Sequence, residues 1–395
     1  MDQAERDAAV EANRREYGGA YGQMRWITRE EAREAEEERS RLVAAVSGAA
    51  LWGCGSTKVD CRSLSPGCRH CGSGTWSCLF VNGVCNARCM YCPTEQREVG
   101  EAATNNLSFP RAEDYAAYLR RLGFTGSSMS GGEPLLTFDR TLRYLEATRA
   151  AIGSVGYLWM YTNGILLTAE RAARLAETGL NEVRIDLSAA DYDLGPVRLA
   201  AEHLGTVTVE IPALPEDAER LIALLPELVT AGVRHLNLHE LRCTPHNLPR
   251  LARRGYVFRH GPRVTVVGSE LGALGVLRAA FDANVPLPVN YCSAVYKALY
   301  QARAARARAA EVARAPGESV TEAGYLRELR YTEGAPTHVR YHLAALRSAP
   351  SYQAVFREIE LDSGRSIVVE RTQAGEASGL LPQYETLPEG LVPYF

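Results

Sequence analysis

The chain has 395 residues, 46% of them hydrophobic and 23% charged, with a formal net charge of −3. That length exceeds one small core and implies a large domain with additions. The charge balance argues neither way about nucleic acid, but no basic block is present and no nucleic-acid partner is expected. No apolar run approaches the ~20 residues of a membrane span, and ten cysteines without an export signal read as metal-bound thiols of a reducing cytoplasm rather than a disulfide framework.

Residues 1–50 are polar with a helical pattern. Thr28 and Glu31 make a capping-box signature ahead of EAREAEEERSRLVAAV, a solvated helix packed on the main body. Residues 51–77 differ. Cys54, Cys61, Cys68 and Cys71, with Cys78 just beyond, lie among Gly, Ser and Pro with little apolar periodicity. Such a segment has no core of its own, so metal or docking must order it.

From 78 to 245 strand-like runs alternate with helical stretches. CLFVNGV, FTGSSMSGG, YLWMYTNGI, EVRIDLS, TVTVEIP and HLNLHEL give six strands separated by helices. This predicts βαβ units and a parallel sheet covered on both faces. A curled, partial (βα)6 barrel of TIM-like kind is favoured over a flat sheet, and chemistry is expected at the carboxyl ends of the strands. Residues 246–314 read as one more strand–helix–strand unit (RVTVVGSE, LGALGVLRAAFDA, LPVNYC) followed by a long Ala/Arg helix over 293–313. Residues 315–395 read as a small α+β module. In it VFREIEL and SIVVERT flank a four-residue hairpin loop, Asp362–Arg365.

Cys85, Cys89 and Cys92 stand in the run CNARCMYCP, directly after the first strand. Three thiolates at this spacing can grip three irons of a four-iron–four-sulfur cluster, which normally takes four. The position left open marks a reacting site rather than a strut, as it does for zinc. Zinc or buried thiols are the bland alternatives. SMSGGEP ends the second strand. Gly131 and Gly132 let backbone approach a ligand because no Cβ intervenes, and exposed carbonyls there with Glu133 suit an ammonium group. A tight turn ending at Pro134 is the alternative.

CNARCMYCP and SGGEP, in this order on consecutive βα units, resemble the radical S-adenosylmethionine superfamily over about residues 78–241. The resemblance implies that Cys85, Cys89 and Cys92 hold the cluster and that the open iron chelates S-adenosylmethionine. It also implies that Gly131–Pro134 receives the methionine ammonium and that Tyr91 lies near the adenine. Asp186 and Ser188 share a face of the fourth strand, and Ser188 is a candidate for the ribose or carboxylate. Asn163 and Glu210 are weaker cofactor-binding candidates. The implied reaction is reductive cleavage to a 5′-deoxyadenosyl radical that takes hydrogen from a substrate, a peptide or a polar small molecule. An electron donor of flavodoxin or ferredoxin type is the implied partner.

The upstream thiols Cys54, Cys61, Cys68, Cys71 and Cys78 exceed what one metal site needs. An auxiliary iron–sulfur cluster is expected, with a zinc knuckle on Cys68-Arg-His-Cys71-Gly or unliganded thiols as alternatives. Cys243 and Cys292 follow strand-like runs and could complete that site or donate a hydrogen atom; small buried hydrophobes are the alternative. Lys297 and His239 complete the catalytic candidates. Two rivals stand beside this reading. One is an activase that makes a radical on a partner protein. The other is a non-catalytic iron–sulfur or zinc protein, which would not explain SGGEP or six βα units.

Overall fold

The computed structural model describes residues 3–46, 51–52, 58–60, 63–105, 107–332, 335–344, 353–377, 385 and 394. The expectations placed on Cys54 and Cys61 lie outside the described residues.

Seven strands run parallel in chain order. They are β1 (Trp76–Val84), β2 (Gly126–Gly131), β3 (Tyr157–Thr162), β4 (Glu182–Ile185), β5 (Thr206–Pro212), β6 (His235–His239) and β7 (Val289–Cys292). The first six are those expected from sequence. The seventh extends the sheet, with Asn237 opposite Asn290 and His239 opposite Cys292. RVTVVGSE does not join it. Only Thr265–Val266 is extended, and it pairs antiparallel with Phe258–Arg259 in a separate two-stranded ribbon.

β1 and β7 do not meet. Beyond β1 lie the antiparallel pieces Ala103–Thr104 and Leu107–Ser108, and beyond β7 lie Lys58–Asp60 and Leu51–Trp52. The barrel is therefore partial and open between its edges.

The strands are not uniformly apolar. Val183 and Ile185, Val207, Val209 and Ile211, Leu236 and Leu238, and Val289 and Tyr291 pack into the main hydrophobic core. The alternate residues Arg184, Glu210, Asn237, His239, Asn290 and Cys292 line one interior cavity. A period of two thus separates an apolar outer face from a polar inner one. Every chain-adjacent pair is bridged by helix, as parallel strands require. The helices are α4 (Ala112–Arg121), α5 (Phe138–Ile152), α6 (Ala169–Glu177), α7 (Gly195–His203), α8 (Ala218–Thr230), and α9 (Leu248–Ala252) with α10 (Val267–Asp282).

The N-terminal segment forms α1 (Gln3–Tyr17) and α2 (Arg29–Ala45). The capping box is present: Glu31 N donates to Thr28 Oγ1 at 3.2 Å and Thr28 N to Glu31 Oε2 at 2.9 Å. α2 packs on α10 and reaches it through a buried ion pair, Arg39 with Glu270 at 3.3 Å. Glu270 also takes a hydrogen bond from Tyr291 at 2.9 Å and faces Arg259.

Cys68 and Cys71 do not lie on a knuckle turn. They lie on α3 (Pro66–Ser73), capped by Ser65, whose hydroxyl accepts from Cys68 N at 3.2 Å. After β7 the expected long helix is a π-helical stretch, Tyr296–Gln301, followed by α11 (Ala302–Ala313).

The C-terminal module is, among the described residues, a five-stranded antiparallel sheet over Glu318–Ala377. Its hairpin is tighter than expected. Leu361 N donates to Arg365 O at 2.8 Å, and Gly364 takes the left-handed turn position at φ +76°.

Candidate functional site

The three-cysteine loop leaves the carboxyl end of β1 and is held from outside by the segment after β6. Arg250 donates to Met90 O and Cys92 O, both at 3.0 Å. Asn247 donates to Tyr91 O at 2.9 Å, and Thr244 to Pro93 O at 2.9 Å. Within the loop Cys92 N bonds Cys89 O, and Ala87 N points at Cys85 Sγ at 3.4 Å. Asn163, at the end of β3, donates to Asn86 Oδ1 at 2.8 Å and faces Cys85 Sγ at 3.7 Å.

All three thiols line one cavity of about 620 Å³, together with Gly131–Glu133, Asn163, Asp186 and Glu210. Burial pushes the Cys89 thiol up to about 11 and raises Cys85. Three thiolates on a pinned loop, facing a polar cavity, can grip three corners of an iron–sulfur cube.

Tyr91 crosses to the end of β4, where its hydroxyl donates to Asp186 Oδ2 at 2.8 Å and lies 2.7 Å from Ser188 Oγ. Ser188 donates to the other oxygen, Asp186 Oδ1, at 2.6 Å. Tyr91, Asp186 and Ser188 therefore form one hydrogen-bonded cluster, but Asp186 and Ser188 do not share a strand face: β4 ends at Ile185, and Asp186 caps the 3-10 turn Leu187–Ala190 that carries Ser188. Burial raises the Asp186 carboxyl, and the bonds from Ser188 and Tyr91 only partly oppose this.

The GGEP segment differs in detail from the expectation. A Cβ on Gly132 would lie 1.9 Å from Val84 O, and one on Gly131 2.3 Å from Asn82 O. The glycines let the end of β2 close against the end of β1, so the close approach is backbone to backbone. Glu133 is not open to an ammonium group. Its carboxylate is buried and accepts from Asn163 N at 2.7 Å, Thr162 Oγ1 at 2.8 Å and Leu135 N at 2.9 Å. Its role is to tie the ends of β2 and β3 together. Pro134 starts a short 3-10 turn, with its carbonyl bonded to Thr141.

Deeper in the cavity lies a charged chain that sequence reasoning saw only in part. Arg184, missed from sequence, pairs with Glu182 at 2.8 Å and Glu210 at 2.5 Å and is 3% exposed. Glu210 is 2.7 Å from His239 Nε2, and His239 Nδ1 is 2.7 Å from Lys297 Nζ. Burial alone would raise the Glu210 carboxyl, but Arg184 and His239 more than offset it and hold it well below the usual range. The signal for Arg184 was present: an arginine inside an apolar strand run, on the face of Asp186.

Cys292 and Lys297 reach this cavity and Cys243 does not. Cys243 packs beside Tyr17, Leu248 and Leu251 in a separate apolar cluster, where burial pushes its thiol up to about 11. Cys78 lies on the inner face of β1 near Ser128 and Ser130.

Residues 79–237 match the Radical SAM superfamily. These residues are a radical SAM domain. Such a domain belongs to an enzyme that works with a four-iron–four-sulfur cluster and S-adenosylmethionine. The chain is 27% identical over 275 residues to a protein of Methanocaldococcus jannaschii described as a candidate glycyl-radical enzyme activating enzyme. That match takes in 67% of this chain and 72% of the other. It is 34% identical over 116 residues to a GTP 3',8-cyclase of Xanthomonas campestris pv. campestris, 29% of this chain and 33% of the cyclase. The chain thus spans about a third of that cyclase's length. Among solved structures, SuiB of Streptococcus suis bound to precursor peptide SuiA gives a TM-score of 0.34 at 16% identity, covering 41% of this chain and 38% of that one. Among the described residues no helix is long and apolar enough to cross a membrane.

Proposed function

We propose that Cys85, Cys89 and Cys92 carry the cluster with one iron left to S-adenosylmethionine, and that the enzyme abstracts hydrogen from a polar substrate in the shared cavity. The observation that carries this reading is the common cavity itself, which joins the three-thiol loop to the Lys297–His239–Glu210 wall. When bound, the cluster and S-adenosylmethionine supply a 5′-deoxyadenosyl radical on reduction.

The chain's own residues supply position and exclusion. Arg250 and Asn247 fix the cysteine loop from outside. Asn163 presents an N–H toward Cys85, and backbone at Gly131 and Ile211 borders the space beside the thiols. Tyr91, Asp186 and Ser188 offer hydroxyl and carboxylate groups for a ribose or ammonium. Lys297 gives the substrate side of the cavity a cationic donor, which suits a carboxylate or phosphate on the substrate. An electron donor of flavodoxin or ferredoxin type would serve the cluster.

A second reading, activation of a partner protein by a backbone radical, is favoured by the match to the Methanocaldococcus protein across most of both chains. Anaerobically reconstituted protein with dithionite and S-adenosylmethionine should release 5′-deoxyadenosine. A redox signal with no nucleoside would defeat the enzymatic reading. Mixing with a glycyl-radical partner and finding a persistent protein radical by spin resonance would select the second reading over the first.

A further inference from the structure

We propose that α3 and the carboxyl end of β7 hold a second iron–sulfur cluster on Cys68, Cys71 and Cys292. These thiols come from segments more than two hundred residues apart in sequence and meet on one wall of the interior cavity. The Tyr296 hydroxyl stands against Cys71, with Cys292 and Cys68 around it. Cys292, Tyr296 and Tyr300 pack together with Cys71 against them.

The helix that brings two of the thiols is wedged in place at both ends. A Cβ on Gly67 would lie 2.4 Å from Arg184 Nη2 and 3.2 Å from Trp159, so only glycine lets α3 sit this close to β3 and β4. A Cβ on Gly74 would lie 2.5 Å from Ala304 Cβ, and Gly74 takes φ +70° to end the helix against α11. α3 is thus clamped between the barrel wall and the helix that follows Cys292. Cys68 and Cys71, three apart, lie on one face of α3.

A polar group is aimed at one of the sulfurs: Asn237 donates Nδ2–H to Cys68 Sγ at 3.4 Å. Hydrogen bonds to cluster sulfurs are a regular feature of iron–sulfur sites, whereas a bare thiol is a weak acceptor. Among the described residues no three ligating side chains converge on a single ion. Zinc draws its thiolates to ~2.3 Å of one ion, whereas an iron–sulfur cube takes thiolates spaced around its corners. Cys78 lies beside Ser128 and Ser130 on the inner face of β1 and is not assigned to the set.

The test is anaerobic reconstitution with ferrous iron and sulfide, then metal analysis and spin resonance with and without S-adenosylmethionine. Variants are compared only where their circular dichroism matches the parent. The Cys85→Ala/Cys89→Ala/Cys92→Ala variant should keep about four irons, with a signal distinct from the one kept by Cys68→Ser/Cys71→Ser. Cys68→Ser/Cys71→Ser should lose about four irons yet keep the signal that S-adenosylmethionine alters. Cys292→Ser should change the signal of the cluster kept by the first variant. An iron-free or zinc-only first variant overturns the proposal, as does a Cys68→Ser/Cys71→Ser protein with the parent's iron content. Failure of the radical reading would show separately, as a parent signal that S-adenosylmethionine does not alter.

Discussion

Lys297 Nζ lies 2.7 Å from His239 Nδ1. A lysine ammonium can only donate, so Nδ1 carries the lone pair and the ring proton sits on Nε2. That proton points at Glu210 Oε1, also at 2.7 Å, which makes the tautomer consistent with both neighbours. The ring is thereby locked between a cation at the cavity wall and a carboxylate already paired to Arg184. Nitrogen NMR at neutral pH should show His239 with a protonated Nε2 and a bare Nδ1. Lys297→Met should leave the Nε2 proton directed at Glu210 but free Nδ1 to take up a second proton, so the doubly protonated ring should appear at higher pH than in the wild type. A wild-type ring protonated on Nδ1 would refute the assignment and remove Lys297 from the donor side of the substrate wall.

Gly132 sets the junction at which the cysteine loop begins. An alanine there would drive its Cβ to 1.9 Å from Val84 O, the carbonyl that accepts from Glu133 N at 2.7 Å. The ends of β1 and β2 would have to part, and Cys85 follows Val84 directly. Gly132→Ala should lower stability by ~1–3 kcal/mol or more, as overpacking does, and should lose most of its iron on reconstitution. Gly275→Ala in α10 is the control. Nothing lies within 4 Å of its added Cβ, so helix propensity should leave it neutral or up to ~1 kcal/mol more stable. Urea melts and iron analysis on both variants decide the point. Equal iron content in the two would show that the junction tolerates displacement.

Arg250 holds the same loop by two carbonyls, Met90 O and Cys92 O. The residue is partly exposed and lies outside the main core, so its loss should spare the fold. Hydrogen bonds from a charged donor contribute roughly 1.5–3 kcal/mol each. Arg250→Ala should therefore release iron to a chelator ~10-fold faster, or more, with an unchanged circular dichroism spectrum. Arg250→Lys, which lacks the planar fork, should fall between. A chelation rate equal to wild type would show that Asn247 and Thr244 suffice to hold the loop.

The strand–helix rhythm was legible because each βα unit carries its own helical period and turn residues, and six strands fell where the strand-like runs stood, the Ser/Gly-rich GSSMSG of β2 among them. The seventh, Val289–Cys292, was read only as part of an appended unit, because 49 residues separate it from β6 and nothing local says which sheet edge it joins. Thr265–Val266 shows the reverse failure: its pattern suits a strand, but the ribbon with Phe258–Arg259 competes successfully for it. At the site, the grouping of Cys85, Cys89 and Cys92 on one loop was legible from spacing, and Tyr91 entered through the resemblance; Asp186 and Ser188 do meet, but on the 3-10 turn after β4 rather than on a strand face. The part of Glu133 was not legible, since whether a carboxylate faces ligand or three backbone and hydroxyl donors depends on the far ends of β2 and β3. Nor was the meeting of Cys292 with Cys68 and Cys71. It follows from glycines at 67 and 74 that matter only once α3 is seated in the barrel.

Glu210 should govern the acid limb of stability. Its carboxyl is buried, which by itself would raise it, but Arg184 at 2.5 Å and His239 at 2.7 Å hold it well below the usual value. In the unfolded chain a glutamate titrates near ~4.3. A carboxyl depressed in the folded state stabilises fully above that unfolded value. The contribution drains away as pH falls through the folded one, at up to about 1.4 kcal/mol per pH unit. Glu210→Gln should cost ~3–5 kcal/mol at neutral pH, because it strips Arg184 of one of two buried carboxylates. It should also flatten the acid limb, so the gap between wild type and variant narrows below about pH 4. Urea midpoints of both proteins taken from pH 7 down to acid conditions measure that gap directly. If the gap stays constant with pH, the carboxylate keeps its ordinary value in the fold, and the Arg184–Glu210–His239 chain does not hold its charge in the way the geometry requires.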